Sequence, residues 1–150
     1  MPTPAQLAVL NPAIVGQAEK AHGAVLKRLL ADTTLDEQQW ITLQFATGAG
    51  DAVGRGDLVT RVCGAAQYDH AAVEAAIAAL ISASLIEESP GADDQVAATA
   101  EGRMFLATLR SKVTELTGPA YGAITPEDSA TAARVLTTIT AKLNEELAKL

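Results

Sequence analysis

The C-terminal stretch sets the tightest constraint on how this chain can fold. Apolar side chains recur there at Leu136, Ile139, Leu143, Leu147 and Leu150, in steps of three, four, four and three. That rhythm is one face of an α-helix. Thr125-Pro126-Glu127-Asp128 opens it with a capping hydroxyl, a proline at the first helical position and acids in the first turn. A terminal helix of this kind has a stripe to bury, and a second copy of the chain is the simplest partner.

The rest of the chain is punctuated in the same way. Asn11-Pro12 starts a helix carrying Ile14, Ala18, Ala21, Val25 and Leu29. Thr34-Leu35-Asp36-Glu37 has the pattern of a capping box, with Trp40, Leu43 and Phe45 on the helix it opens. The run Gly48 to Gly56 breaks that helix, and a short one spans about Asp57 to Ala66. Asp69 caps the next, whose apolar face is Val73, Ile77, Leu80 and Ile81. Residues 85–89 and 95–98 flank Pro90-Gly91-Ala92-Asp93-Asp94 and are expected to form a β-hairpin. Thr99 caps a helix bearing Phe105, Leu109, Val113 and Leu116, with Gly118-Pro119 as its expected stop.

Three helices closed by a hairpin, flanked by long helices, make a mostly α fold with a small β-hairpin wing. This is a winged helix-turn-helix with N- and C-terminal dimerisation helices. The 150 residues suit one domain. Within it, 34–100 is the winged unit, and 1–33 and 101–150 are the dimerisation helices. Only five residues are aromatic (Trp40, Phe45, Tyr68, Phe105 and Tyr121), so the core must be aliphatic. Met1-Pro-Thr-Pro4 lacks the basic and apolar regions of a signal peptide, and no apolar run is long enough to span a membrane. With Cys63 as the lone cysteine, the expectation is a cytoplasmic protein.

Net charge is −7, which argues against a generic polyanion binder. The acidity is concentrated. Residues 34–100 hold Arg55 and Arg61 against ten acids (Asp36, Glu37, Asp51, Asp57, Asp69, Glu74, Glu87, Glu88, Asp93 and Asp94), a balance of −8.

Four segments in register resemble the MarR family of bacterial transcription regulators, over roughly residues 12–150. Leu35-Asp36-Glu37-Gln38 is similar to the opening of that family's second helix, and Asp57-Leu58-Val59 to its third. Val73, Ile77, Leu80 and Ser84-Leu85-Ile86 resemble the recognition helix and its exit. Ala98-Thr99-Ala100-Glu101-Gly102 resembles the segment after the wing. The resemblance implies a homodimer that sets two recognition helices in successive major grooves of double-stranded DNA and responds to a small phenolic or amphipathic ligand. It departs at the reading parts. The wing has Asp93-Asp94-Gln95 where the family carries an arginine, Ala75 stands where a polar reader is common, and Gly64 to Tyr68 make a long turn.

The candidate DNA-reading residues are Gln67, Tyr68, His70, Ala71 and Glu74. Gln67 could pair with adenine, Glu74 could accept from cytosine, and Ala71 could touch a thymine methyl. Each is equally readable as a solvent-facing helix residue. Arg55 and Arg61 are the candidate phosphate contacts, or local partners of Asp51 or Asp57. The ligand pocket is expected near Trp40, Phe105 and Leu109. Cys63 reads better as a structural cysteine than as a redox sensor. Glu19 and His22 have helical ligand spacing but no third ligand, so no metal is expected. No cofactor loop and no nucleophile–base–acid set is present, and no enzyme activity is expected. The alternative function is a winged-helix dimer acting by protein or small-molecule binding, without specific DNA recognition.

Overall fold

The computed structural model describes residues 8–91 and 93–150. The opening Met1-Pro-Thr-Pro4 and Ala92 of the hairpin turn lie outside them. In order, the elements are α1 (Pro12–Leu30), α2 (Glu37–Gly48), β1 (Val53–Gly54), α3 (Arg55–Ala66), α4 (His70–Ser82), β2 (Ile86–Glu88), β3 (Gln95–Ala98), α5 (Ala100–Gly122) and α6 (Pro126–Leu147). This is a mostly α winged helix-turn-helix. The chain resolves into two compact units, 1–113 and 114–150.

In the first unit α2, α3 and α4 enclose an aliphatic core. Leu43, Leu58, Val59, Val62, Val73, Ile77 and Leu80 are wholly buried, with Ile86, Val96 and Leu106 beside them. Each such Leu or Ile contributes roughly 1.5–3 kcal/mol by leaving water. The buried Thr42 hydroxyl donates to the Gln38 carbonyl at 2.7 Å, so it carries no unmet polar group.

The wing has one more strand than the sequence suggested. β3 pairs antiparallel with β2 (Ile86↔Ala98, Glu88↔Val96) and, on its other edge, with β1 (Val53↔Val96), in the order β1-β3-β2. Two residues are too short for alternation to reveal β1. Its presence also moves the start of α3 back to Arg55.

Two helix ends differ from expectation. The cap of α2 is Asp36, not Thr34: Asp36 Oδ1 accepts from Gln39 N–H at 2.8 Å, and Gln39 Oε1 accepts from Asp36 N–H at 3.1 Å. The preceding turn belongs to Thr33, whose hydroxyl donates to the Leu30 carbonyl (2.8 Å) and accepts from Leu35 N–H (3.1 Å). Gly118-Pro119 does not stop α5, which continues to Gly122. Proline keeps a helical φ and removes only the hydrogen bond to Glu115, in a stretch whose side chains from 118 to 122 all face solvent.

The start of α5 is locked to the exit of α4. Thr99 N–H donates to the Leu85 carbonyl at 3.0 Å. The Thr99 hydroxyl donates to the Ser84 carbonyl at 2.7 Å and accepts from Gly102 N–H at 2.9 Å. A Cβ on Gly102 would clash with the Leu85 carbonyl oxygen, so only glycine admits this approach.

In the second unit, α6 is capped by Thr125, whose side chain accepts from Asp128 N–H at 3.2 Å. It has no buried residue: Leu136, Leu143 and Leu147 are 40%, 64% and 52% exposed.

Gly102→Ala is expected to lower stability by about 1–3 kcal/mol through overpacking, read as a lower Tm by circular dichroism. Gly118→Ala, where nothing lies within 4 Å, should hold or raise Tm. Equal Tm for the two variants would show that Leu85 is not seated against Gly102.

Candidate nucleic-acid interface

The helix-turn-helix is formed by α3, a three-residue connection and α4. Gly64 to Ala66 complete α3, so the turn that looked long is short. Gln67 takes a left-handed conformation (φ 58°) as C-cap, its N–H donating to the Cys63 carbonyl at 3.0 Å. Asp69 then caps α4 by accepting from Ala72 N–H at 2.8 Å.

The inward face of α4 is Val73, Ala76, Ile77 and Leu80. Helical geometry then leaves His70, Ala71, Ala75 and Ala78 exposed, with Glu74 half-buried. Methyl groups dominate the presented face. They can touch thymine methyls but cannot hydrogen-bond to base edges.

The structure brings two of the candidates together. Arg55 Nε donates to Glu74 Oε2 at 2.9 Å, and both side chains are partly buried, at 26% and 40% exposure. Arg55 is held from behind as well, its N–H donating to the Asp94 carbonyl at 2.8 Å. Its side chain lines a cleft of about 270 Å³ at the root of the wing, with Glu88, Asp93 and Asp94 among its other walls. Arg61 lies in a different cleft, about 420 Å³, with Gln44 and Phe45 of α2 and Arg110 of α5.

The remaining candidates are placed as follows. The Gln67 amide turns back to donate to the Gly64 carbonyl at 3.3 Å. Tyr68 is half-buried against the core. His70 and Ala71 are exposed on the first turn of α4. Trp40 and Leu109 are buried in the core of the first unit, with Phe105 packed against it. Cys63 also packs against that core. Among the described residues no group of three His, Cys, Asp or Glu side chains could hold a metal ion, and no helix is long and apolar enough to cross a membrane.

The sequence reading did not name the residues of the largest of the clefts described, about 750 Å³ between α1 and the start of α2. Leu30 and Leu35 are its large apolar members, and the lysines Lys20 and Lys27 stand among the carboxylates Glu19, Asp36 and Glu37. The small pair Gly23-Ala24 on α1, which also lines it, was the available signal. It missed the Arg55–Glu74 pair for a different reason: partners 19 residues apart leave no local pattern.

Burial pushes the Tyr68 phenol above the ordinary value of 10.0, and the nearby carboxylates of Glu37 and Asp36 push it the same way. The folded state therefore keeps the proton to higher pH than the unfolded chain. Stability is intact below the ordinary value and falls as pH climbs past it. Urea midpoints measured from pH 8 to 11 should fall more steeply for the native chain than for Tyr68→Phe. Parallel curves would remove Tyr68 from that environment.

No family model and no curated protein matches the sequence. Solved structures do match the fold. NadR in complex with 4-hydroxyphenylacetate is 18% identical and superposes with a TM-score of 0.71, over 90% of this chain and 97% of that one. A MarR-family transcriptional regulator from Silicibacter pomeroyi is 16% identical with a TM-score of 0.70, over 87% and 88%. BpsR of Bordetella bronchiseptica, whose DNA binding is regulated by 6-hydroxynicotinic acid, is 20% identical with a TM-score of 0.64, over 92% and 99%. The likeness extends over about nine-tenths of the chain in each case. The chain has the fold of the MarR-family winged helix-turn-helix regulators.

Proposed function

We propose that this chain is a homodimeric, DNA-binding transcription regulator of the MarR family whose grip on DNA responds to a small ligand. The observation that carries the reading is the match in fold to regulators such as NadR and BpsR over 90% and 92% of this chain. A small aromatic acid is the ligand in both of those proteins.

The dimer is supported by α6. A helix of 22 residues with no buried side chain gains little from propensity alone and needs packing to persist. Its leucine stripe supplies the surface, and a twin helix is the partner. In the dimer the two α4 helices address successive major grooves, with His70, Ala71 and the turn residues Gln67 and Tyr68 nearest the bases, and Arg61 available to a phosphate. The effector region is assigned to Trp40, Phe105 and Leu109. They share a core with Leu30 and Leu35, which line the α1–α2 cleft.

A second reading has its own support. The methyl-rich face of α4 and the −8 balance of residues 34–100 suit a winged dimer that acts without specific DNA recognition.

Fluorescence anisotropy on the DNA upstream of the chain's own coding sequence, at low salt with a random duplex as control, separates the two. Regulation requires a preference of about a thousandfold or more for the upstream DNA, the lower end of the range for specific over non-specific binding. Equal weak binding to both supports the second reading. Sedimentation at micromolar concentration is expected to give a dimer, and Leu143→Glu with Leu147→Glu should shift it to monomer. A native chain that sediments only as monomer defeats both readings.

A further inference from the structure

The sequence offered Glu74 as a reader of cytosine and Arg55 as a contact to phosphate. Their mutual geometry gives them another role. Taking the winged unit as a DNA-binding head, we infer that Glu74 is an internal competitor for DNA: its carboxylate occupies the guanidinium that a backbone phosphate would otherwise take.

Three observations carry this. First, the pair is direct, Nε to Oε2 at 2.9 Å, and bridges the root of the wing to the second turn of the recognition helix. One oxygen of the carboxylate is thereby committed to Arg55, so a cytosine amine would have to share Glu74 with the guanidinium. Second, the surroundings of Arg55 add negative charge. Glu88, Asp93 and Asp94 line the cleft beside it, and its own N–H is held by the Asp94 carbonyl. A phosphate brought to Arg55 meets carboxylates from the wing and from α4 together. Third, residues 34–100 contain no lysine, and their other arginine, Arg61, lies in the separate cleft beside α2 and α5. Among the described residues of 34–100, Arg55 is therefore the cation where wing and recognition helix meet, and Glu74 is its partner.

The consequence is a head tuned toward weak binding. Phosphate contacts supply the sequence-independent part of affinity, each worth a salt slope of about −0.9. A duplex binding this head must displace Glu74 from Arg55 or forgo the contact. Removing the Glu74 charge frees one guanidinium while keeping the shape of the side chain.

The test compares the native chain with Glu74→Gln, Arg55→Ala and the double variant on a random duplex and on the upstream duplex. Glu74→Gln is expected to tighten binding to both, for each head engaged, by about tenfold at 50 mM salt and about threefold at 200 mM. Its log–log salt slope should be steeper by about one for each head engaged, about two for the dimer. Arg55→Ala alone should change affinity by less than twofold, because the paired guanidinium contributes little. In the double variant the gain should vanish. A Glu74→Gln protein that binds more weakly would mean that Glu74 aims Arg55 at phosphate. One that alters preference at a single base pair, with no change in salt slope, would mean that Glu74 reads a base. Either result overturns the inference and leaves the regulator reading standing. Absence of binding to any duplex by native chain and Glu74→Gln alike removes the regulator reading, and the inference falls with it.

Discussion

The head depends on one backbone approach, the entry of the Leu85 carbonyl into the first turn of α5. Ser84, in a left-handed conformation (φ 61°), turns the chain out of α4, and Leu85 N–H donates back to the Leu80 carbonyl at 3.0 Å. The Leu85 carbonyl then receives Thr99 N–H and sits where a side chain on Gly102 would stand. The same few atoms therefore terminate the recognition helix, bring Ile86 and Ala98 into register and start α5. A slip of one residue here would turn the hairpin inside out, moving Ile86 and Val96 from the core to solvent.

Electrostatics in the head work against the role that the fold suggests. The three-stranded wing and α4 are arranged as a groove-reading device is arranged, yet carboxylates outnumber cations around them. The Arg55–Glu74 pair is partly exposed, and such pairs are worth little to stability. Its importance lies in where the guanidinium is spent. On the proposed reading, fold and charge together describe a head whose non-specific attraction for DNA is low. Selectivity then rests on what the short exposed face of α4 can do with methyl groups and one imidazole.

Much of this was legible in the sequence, because caps and apolar rhythm are local. Asn11, Asp69, Thr99 and Thr125 each hold the helix start assigned to them, through hydrogen bonds of 2.8 to 3.2 Å. Where the reading went astray, two local solutions competed or the deciding contact was distant. Thr34-x-x-Glu37 and Asp36-x-x-Gln39 both fit a capping box, and the choice fell to Thr33, which closes the preceding turn. β1 exists only because β3 offers it a second edge. The face of α4 that looks outward followed from Val73, Ile77 and Leu80 being inward. That Glu74 would find Arg55 did not, since partners 19 residues apart leave no local pattern.

The proposed coupling between ligand and DNA has a short physical route within the first unit. Phe105, Leu106 and Leu109 of α5 face the core that contains Trp40, within two turns of Gly102. Interiors are close-packed, so a ligand entering that core must displace something, and these α5 side chains are among those that build it. A helix moves as a rod over so short a span. Any displacement felt at Phe105 reaches Gly102, where there is no slack: the Leu85 carbonyl already fills the space of a missing Cβ. The exit of α4 must then follow α5. On this route the effector alters the pose of the recognition helix through steric contact alone, and the Arg55–Glu74 bridge carries the same movement on to the wing.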